Sequence, residues 1–218
     1  MLFLRSIVVW FASLESGASF QKWIQIILRI LGVVAFVFII VSSILLVVTV
    51  IAEIESISSL LFHLSGSILI ALFTIAVGII LILLIWNRCN KINTLQNESD
   101  FTLLNIAVIL VRLSGEVVLI VNVATCFHLL LGGIFGIGMH GMISFLYNPV
   151  IVVESISIGW SFDWSIRVIS IITFAINGIT ILISSYVIAA LLNLVVGMAK
   201  DLRNIDATLS TEETTSDS

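Results

Sequence analysis

The stretch ILGVVAFVFIIVSSILLVVTVIA, residues 30–52, decides the class of fold. It carries no charged side chain over a length that exceeds the roughly 18 apolar residues typical of a membrane-spanning helix. Three further apolar runs of at least this length follow, at about residues 64–86, 103–132 and 166–199. The sequence therefore predicts four transmembrane helices.

The composition of the whole chain agrees with this prediction. Hydrophobic residues make up 60% of the 218 residues and charged residues 10%, and the mean hydropathy is +1.27. In soluble domains, apolar residues average about 45–50% of the chain and charged residues about 25%. Apolar and polar residues do not alternate in these runs as they do in the strands of a membrane barrel. A helix can cross lipid because its backbone N–H and C=O groups hydrogen-bond to one another. We predict an all-α integral membrane protein whose single membrane domain, residues 23–200, is a four-helix bundle in the lipid bilayer.

The two ends of the chain differ from this domain. Residues 1–22 predict an amphipathic helix in the membrane interface, because apolar side chains recur there at the spacing of one helix face. A terminus without a role is the alternative. Residues 201–218 are polar and acidic, which predicts a disordered tail.

Basic residues predict the orientation, because Lys and Arg near helix ends are retained on the cytoplasmic side. They lie before the first span, between the second and third, and after the fourth, at Arg5, Lys22, Arg29, Arg88, Lys91, Lys200 and Arg203. Both termini are therefore predicted to be cytoplasmic, in a plasma membrane or a bacterial inner membrane. The net charge of -4 argues against a nucleic-acid partner.

A pair of charged residues interrupts the third run. In VILVRLSGEVVLIVNV, residues 108–123, Arg112 and Glu116 lie one helical turn apart, so that their side chains could bridge. Asn105 shares their helix face, and Asn122 lies at its edge. An unpaired charge at the centre of a spanning helix costs about 2.5–3.5 kcal/mol. This broken polar face is therefore expected to meet protein or water.

Three interpretations of the polar face follow. It could be an internal ion pair, satisfied with Asn122 or Asn177, that seats the third span against its neighbours. It could line an ion or proton path or a small cavity, or it could contact another molecule. The depth of Arg112 depends on where the span begins: near residue 103 it lies at the midplane, and near residue 109 it reaches the headgroups.

Small residues at helical spacing predict the faces on which spans two and four pack. Helices in lipid associate through close backbone approach and polar contacts. The two stripes are Ser67, Ala71, Thr74 and Gly78 in span two, and Ser185, Ala189, Asn193 and Gly197 in span four. They predict close-packed seams inside the bundle or between protomers.

Three histidines are expected near the outer face and are the candidates for a metal or haem b site: His63, His128 and His140. No paired spacing on one helix supports such a site, so no cofactor is predicted. The glycine-rich residues 132–141 lack the lysine and hydroxyl of a phosphate-binding loop. They could be a helix end, a re-entrant segment or an interfacial turn.

No sequence feature positions a nucleophile beside a base. The sequence predicts a small membrane protein without enzymatic activity, an accessory or scaffold subunit that acts through partner contacts or self-assembly. A homo-oligomer or a larger membrane complex is therefore expected. The alternative is an oligomeric ion- or proton-conducting pore, or a small transporter, lined by the polar face of span three.

Overall fold

The computed structural model describes residues 17–53, 57–95, 102–137 and 164–216, and this part of the chain forms four long helices. They are α1 (Gly17–Glu53), α2 (Ile57–Thr94), α3 (Thr102–Ile134) and α4 (Trp164–Ser216). Each contains a stretch long and apolar enough to cross a membrane. The prediction of an all-helical chain with four apolar helices of membrane-spanning length is confirmed.

The ends of the chain differ in part from the prediction. Helix α4 continues to Ser216, through most of the segment expected to be a disordered tail. Extending a helix that already exists adds one hydrogen bond per residue without the cost of a new nucleus, so a polar composition alone does not end it. At the other end, the predicted interfacial segment was residues 1–22; residues 17–22 belong to α1, which begins at Gly17, and residues 1–16 lie outside the described residues.

The helices pack chiefly with their neighbours in the chain. α1 packs on α2 and α3 packs on α4, so that the fold consists of two helical hairpins, and α2 joins them by packing on α3. α1 and α3 touch only slightly. In the first hairpin Gly78 of α2 lies against α1, where a Cβ atom would come within 3.1–3.2 Å of Phe36 and Ile39. The absence of a side chain at Gly78 therefore allows α1 and α2 to approach closely.

The seam between α3 and α4 also depends on close approach. Gly115 of α3 lies so near to Ser185 of α4 that a Cβ atom there would overlap the serine side chain. Further along, Asn122 of α3 packs against Gly178 of α4, where an added Cβ atom would lie 3.0 Å from that of the asparagine. Two small residues thus bring the second pair of helices together.

Helix α3 ends in a Schellman motif within the glycine-rich segment. Gly136 has a φ of 65°, its N–H donates to the carbonyl of Gly133 at 3.4 Å, and the N–H of Ile137 donates to the carbonyl of Gly132 at 2.8 Å. Ile137 is fully buried in a cluster with Leu46 of α1 and Ile70 of α2. The first residues of the segment are therefore a helix end, and residues 138–163 lie outside the described residues.

The two seams predict opposite effects of the same substitution. Gly115→Ala forces overlap with Ser185 and should lower the free energy of unfolding by about 1–3 kcal/mol. Gly32→Ala is the matched control, because its new methyl group would lie in ordinary contact with Ile85, at 3.4 Å, and alanine is the better helix former. Denaturant unfolding in detergent micelles measures both, and equal effects at the two glycines would contradict the described seam.

Candidate functional site

Three helices meet at the carboxylate of Glu116 in α3. Nε of Arg88, from α2, donates to Oε2 of Glu116 at 3.0 Å, and Nη2 of the same guanidinium donates to Oε1. The hydroxyl of Tyr186, from α4, also donates to Oε1, at 2.6 Å. The Arg88 and Glu116 side chains are only 12% and 15% exposed. Both oxygens of the carboxylate are therefore engaged by neighbouring helices.

Arg112 occupies a different position from the one expected. Its guanidinium carbon lies 5.6 Å from the centroid of the Tyr186 ring, within the range of a cation–π contact. Its Nε atom is buried and has no hydrogen-bond partner among the described residues. The ion pair of Glu116 is thus with Arg88 of α2, in place of the expected i,i+4 bridge to Arg112. Arg88 presents the Nε and Nη2 edge of its guanidinium, so that two parallel N–H groups bind the carboxylate, which makes the pair stronger and more specific in geometry.

Arg88 was not predicted as a partner of Glu116, because its position beyond the apolar run of the second span indicated only the orientation of the chain. Helix α2 continues past the apolar run to Thr94, so that Arg88 lies inside the helix and faces α3. A signal was present in the antiparallel order of the spans. Consecutive spans run in opposite directions, so the end of span two lies beside the first half of span three, where Glu116 is found.

The other predicted members of the polar face do not join this cluster. Asn122 is fully buried, and its Nδ2 donates to the carbonyl of Val118 at 2.8 Å within α3. Asn105 and Asn177 are half-buried on α3 and α4, and neither hydrogen-bonds to Glu116. The face therefore separates into a charged cluster and asparagines placed elsewhere along the helices.

The small residues of the two predicted packing stripes differ in burial. All four in α2 are buried: Ser67, Ala71, Thr74 and Gly78. In α4, Ser185 and Ala189 are buried, whereas Asn193 is exposed and a Cβ atom at Gly197 would meet nothing within 4 Å. The second half of the α4 stripe is thus unpacked within the described chain.

The described histidines contact protein groups between α2 and the end of α3. Nε2 of His128 lies 2.6 Å from the hydroxyl of Thr74, and Nδ1 of His63 lies 2.5 Å from the carbonyl oxygen of Phe135. His140 lies outside the described residues. Within the described ranges no group of three or more His, Cys, Asp or Glu side chains is placed to hold a metal ion. The two imidazoles therefore contribute to the packing of α2 against α3 and the turn that follows it.

Comparison of the chain with protein-family models, curated proteins and solved structures found no match. The carboxylate of Glu116 accepts two N–H groups from an arginine of one helix and a phenol hydroxyl from another. Such a cluster fixes the relative positions of α2, α3 and α4.

A double-mutant cycle tests which arginine is the partner of Glu116. Arg88→Gln and Glu116→Gln should each lower the free energy of unfolding by about 1.5–3 kcal/mol, because each leaves a partly buried charge without its partner. Their coupling energy should be about 0.5–3 kcal/mol. The same cycle with Arg112→Gln is the control and should give a smaller coupling energy. A larger value for Arg112 would contradict the described ion pair.

Proposed function

We propose that this chain is a membrane protein without enzymatic activity that serves as an accessory or scaffold subunit, through contacts with partner proteins or with its own copies. The engagement of Glu116 by Arg88 and Tyr186 carries the proposal. A carboxylate held by two other helices contributes to the arrangement of those helices. A scaffold requires this fixed arrangement.

The competing function is an oligomeric pore or a small transporter lined by the polar face of α3. An ion that used Glu116 would have to displace Arg88 from it and leave a guanidinium that is only 12% exposed without its carboxylate. Breaking one side of a buried ion pair is strongly unfavourable. This cost favours the scaffold over the pore.

The second half of the α4 stripe supports a contact with another molecule. Asn193 is exposed, and Leu194, which follows it, and Met198, which follows Gly197, are each 56% exposed. In lipid an amide gains by hydrogen bonding to another helix, and a glycine such as Gly197 permits close backbone approach. We propose that the surface around Asn193 and Gly197 contacts a second copy of the chain or another membrane protein.

The proposal includes the orientation predicted from the basic residues. Lys22 and Arg29 lie in the first third of α1, and Lys91 lies in the last turn of α2. Both positions fall at the same end of the first hairpin. On the positive-inside rule this end is cytoplasmic, and both termini lie on that side of a plasma membrane or a bacterial inner membrane.

Cross-linking in native membranes, before detergent is added, tests the proposed contact. Asn193→Leu and Gly197→Leu should each reduce the cross-linked homo-oligomer or partner complex, because one removes the amide and the other blocks close approach. Val195→Leu is the control, since Val195 is 53% exposed and points away from Asn193 on the helix. Unchanged cross-linking in both variants would contradict the contact.

Ion flux into vesicles that contain the purified protein separates the scaffold from the pore. The scaffold predicts the same flux as in protein-free vesicles, for the parent protein and for Glu116→Gln. If the parent protein conducts and Glu116→Gln abolishes conduction without changing assembly, the pore is the function and the scaffold proposal is wrong.

A further inference from the structure

An apolar groove with a volume of about 330 Å³ lies between α1, α2 and α3. It exists because α1 and α3, which both pack on α2, hardly touch each other. Phe36 and Ile39 of α1, Ile82 of α2 and Val117 of α3 contribute to its walls. Ser114 is the one hydroxyl-bearing residue of the lining, and its hydroxyl donates to a backbone carbonyl of its own helix at 2.7 Å.

The groove is open along one side. Leu31 at its edge is 59% exposed, and Ala35 and Ser114 are also exposed. An apolar space offers water too few hydrogen-bond partners to hold it. Where the helices cross a bilayer, the surrounding medium is hydrocarbon, and a lipid chain can enter from the side. The lining thus favours an acyl chain as the occupant.

One end of the groove carries positive charge. Lys22, Arg29 and Phe36 are spaced seven residues apart, so that the two cations lie on the same face of α1 as a wall residue of the groove. Both cations are exposed, and neither forms an ion pair within the described part of the chain. An anionic headgroup is the complement of this end.

The length of the groove fits one lipid chain. Arg29 and Ile39 are ten residues apart, a rise of about 15 Å along the helix. This distance is half of the about 30 Å hydrocarbon core of a bilayer. A headgroup at Arg29 would therefore place its acyl chain along the groove as far as the bilayer midplane.

We propose that the groove binds one acyl chain of an anionic phospholipid, with the phosphate beside Arg29 and Lys22, in the leaflet next to the start of α1. The proposal requires that the helices cross a bilayer. It holds for a scaffold or a pore alike, since it depends on neither Glu116 nor the α4 surface. A helix of a second copy and residues 1–16 of the chain are the competing occupants.

Photo-cross-linking tests the proposal on the full chain in phosphatidylcholine vesicles. The probe is phosphatidylglycerol with a diazirine in one acyl chain, and the same diazirine in phosphatidylcholine is the comparison. Peptide mapping should find the phosphatidylglycerol label on wall residues of the groove, such as Phe36 and Ile82. The exposed far side of α1, at Val34, should be labelled equally by both lipids because it meets bulk bilayer.

Two pairs of variants make the result specific. Arg29→Gln should reduce labelling of the groove by phosphatidylglycerol about fivefold, and Arg29→Lys should retain it, because the headgroup contact is one of charge. Ala35→Phe fills the groove and should reduce labelling about tenfold. Val34→Phe is the control of equal bulk on the far side. Arg29 is exposed, so its substitution is compatible with folding even if Ala35→Phe is not.

Three results would overturn the proposal. The first is equal labelling of the groove by the two lipids. The second is labelling that Arg29→Gln leaves unchanged. The third is a groove that no lipid labels and that instead cross-links to a second copy or to residues 1–16. The first two results leave the cross-linking and ion-flux predictions unchanged, and the third leaves the contact at Asn193 and Gly197 to be tested by its own variants, so the two proposals can fail separately.

Discussion

The carboxylate of Glu116 is the point on which the helix arrangement depends, because it is shared by donors from two other helices. Apolar side chains gain little by leaving lipid for a neighbouring helix, so burial alone does not select one packing of four apolar helices over another. A buried charge that needs a partner of opposite charge does select one packing over the others. Only an arrangement that brings Arg88 and Tyr186 to the same carboxylate satisfies it, and that requirement fixes the rotation of α2 and α4 about α3.

The contact between the two hairpins follows the same logic. At one end of the α2–α3 seam lies the Arg88–Glu116 pair, and towards the other end the His63 ring meets a backbone carbonyl at the turn after α3. A histidine–threonine contact lies between them. Within each hairpin, glycines permit close approach. Polar side chains thus join helices both between the hairpins and within them, as Tyr186 joins α4 to α3, and the close approaches at Gly78 and Gly115 lie inside the hairpins.

The sequence predicted the features that depend on local composition. Four helices of membrane-spanning length followed from the apolar runs, and Glu116 was recognised as a charge in need of a partner. Its actual partner depended on two facts that one span does not contain: α2 extends beyond its apolar run, and its last turns lie beside the first half of α3. The helix was not predicted to continue to Ser216, because composition does not show that residues can be added to an existing helix without the free-energy cost of nucleation.

The division into two hairpins also bears on how the chain is made. Chains fold from the N-terminus during synthesis, so α1 and α2 can pack through Gly78 before α3 has been completed. At that stage the guanidinium of Arg88 has not yet met its carboxylate. Arrival of α3 supplies Glu116, and α4 then supplies the phenol of Tyr186. The ion pair therefore forms late in biogenesis, when the second hairpin packs against a first hairpin that has already formed.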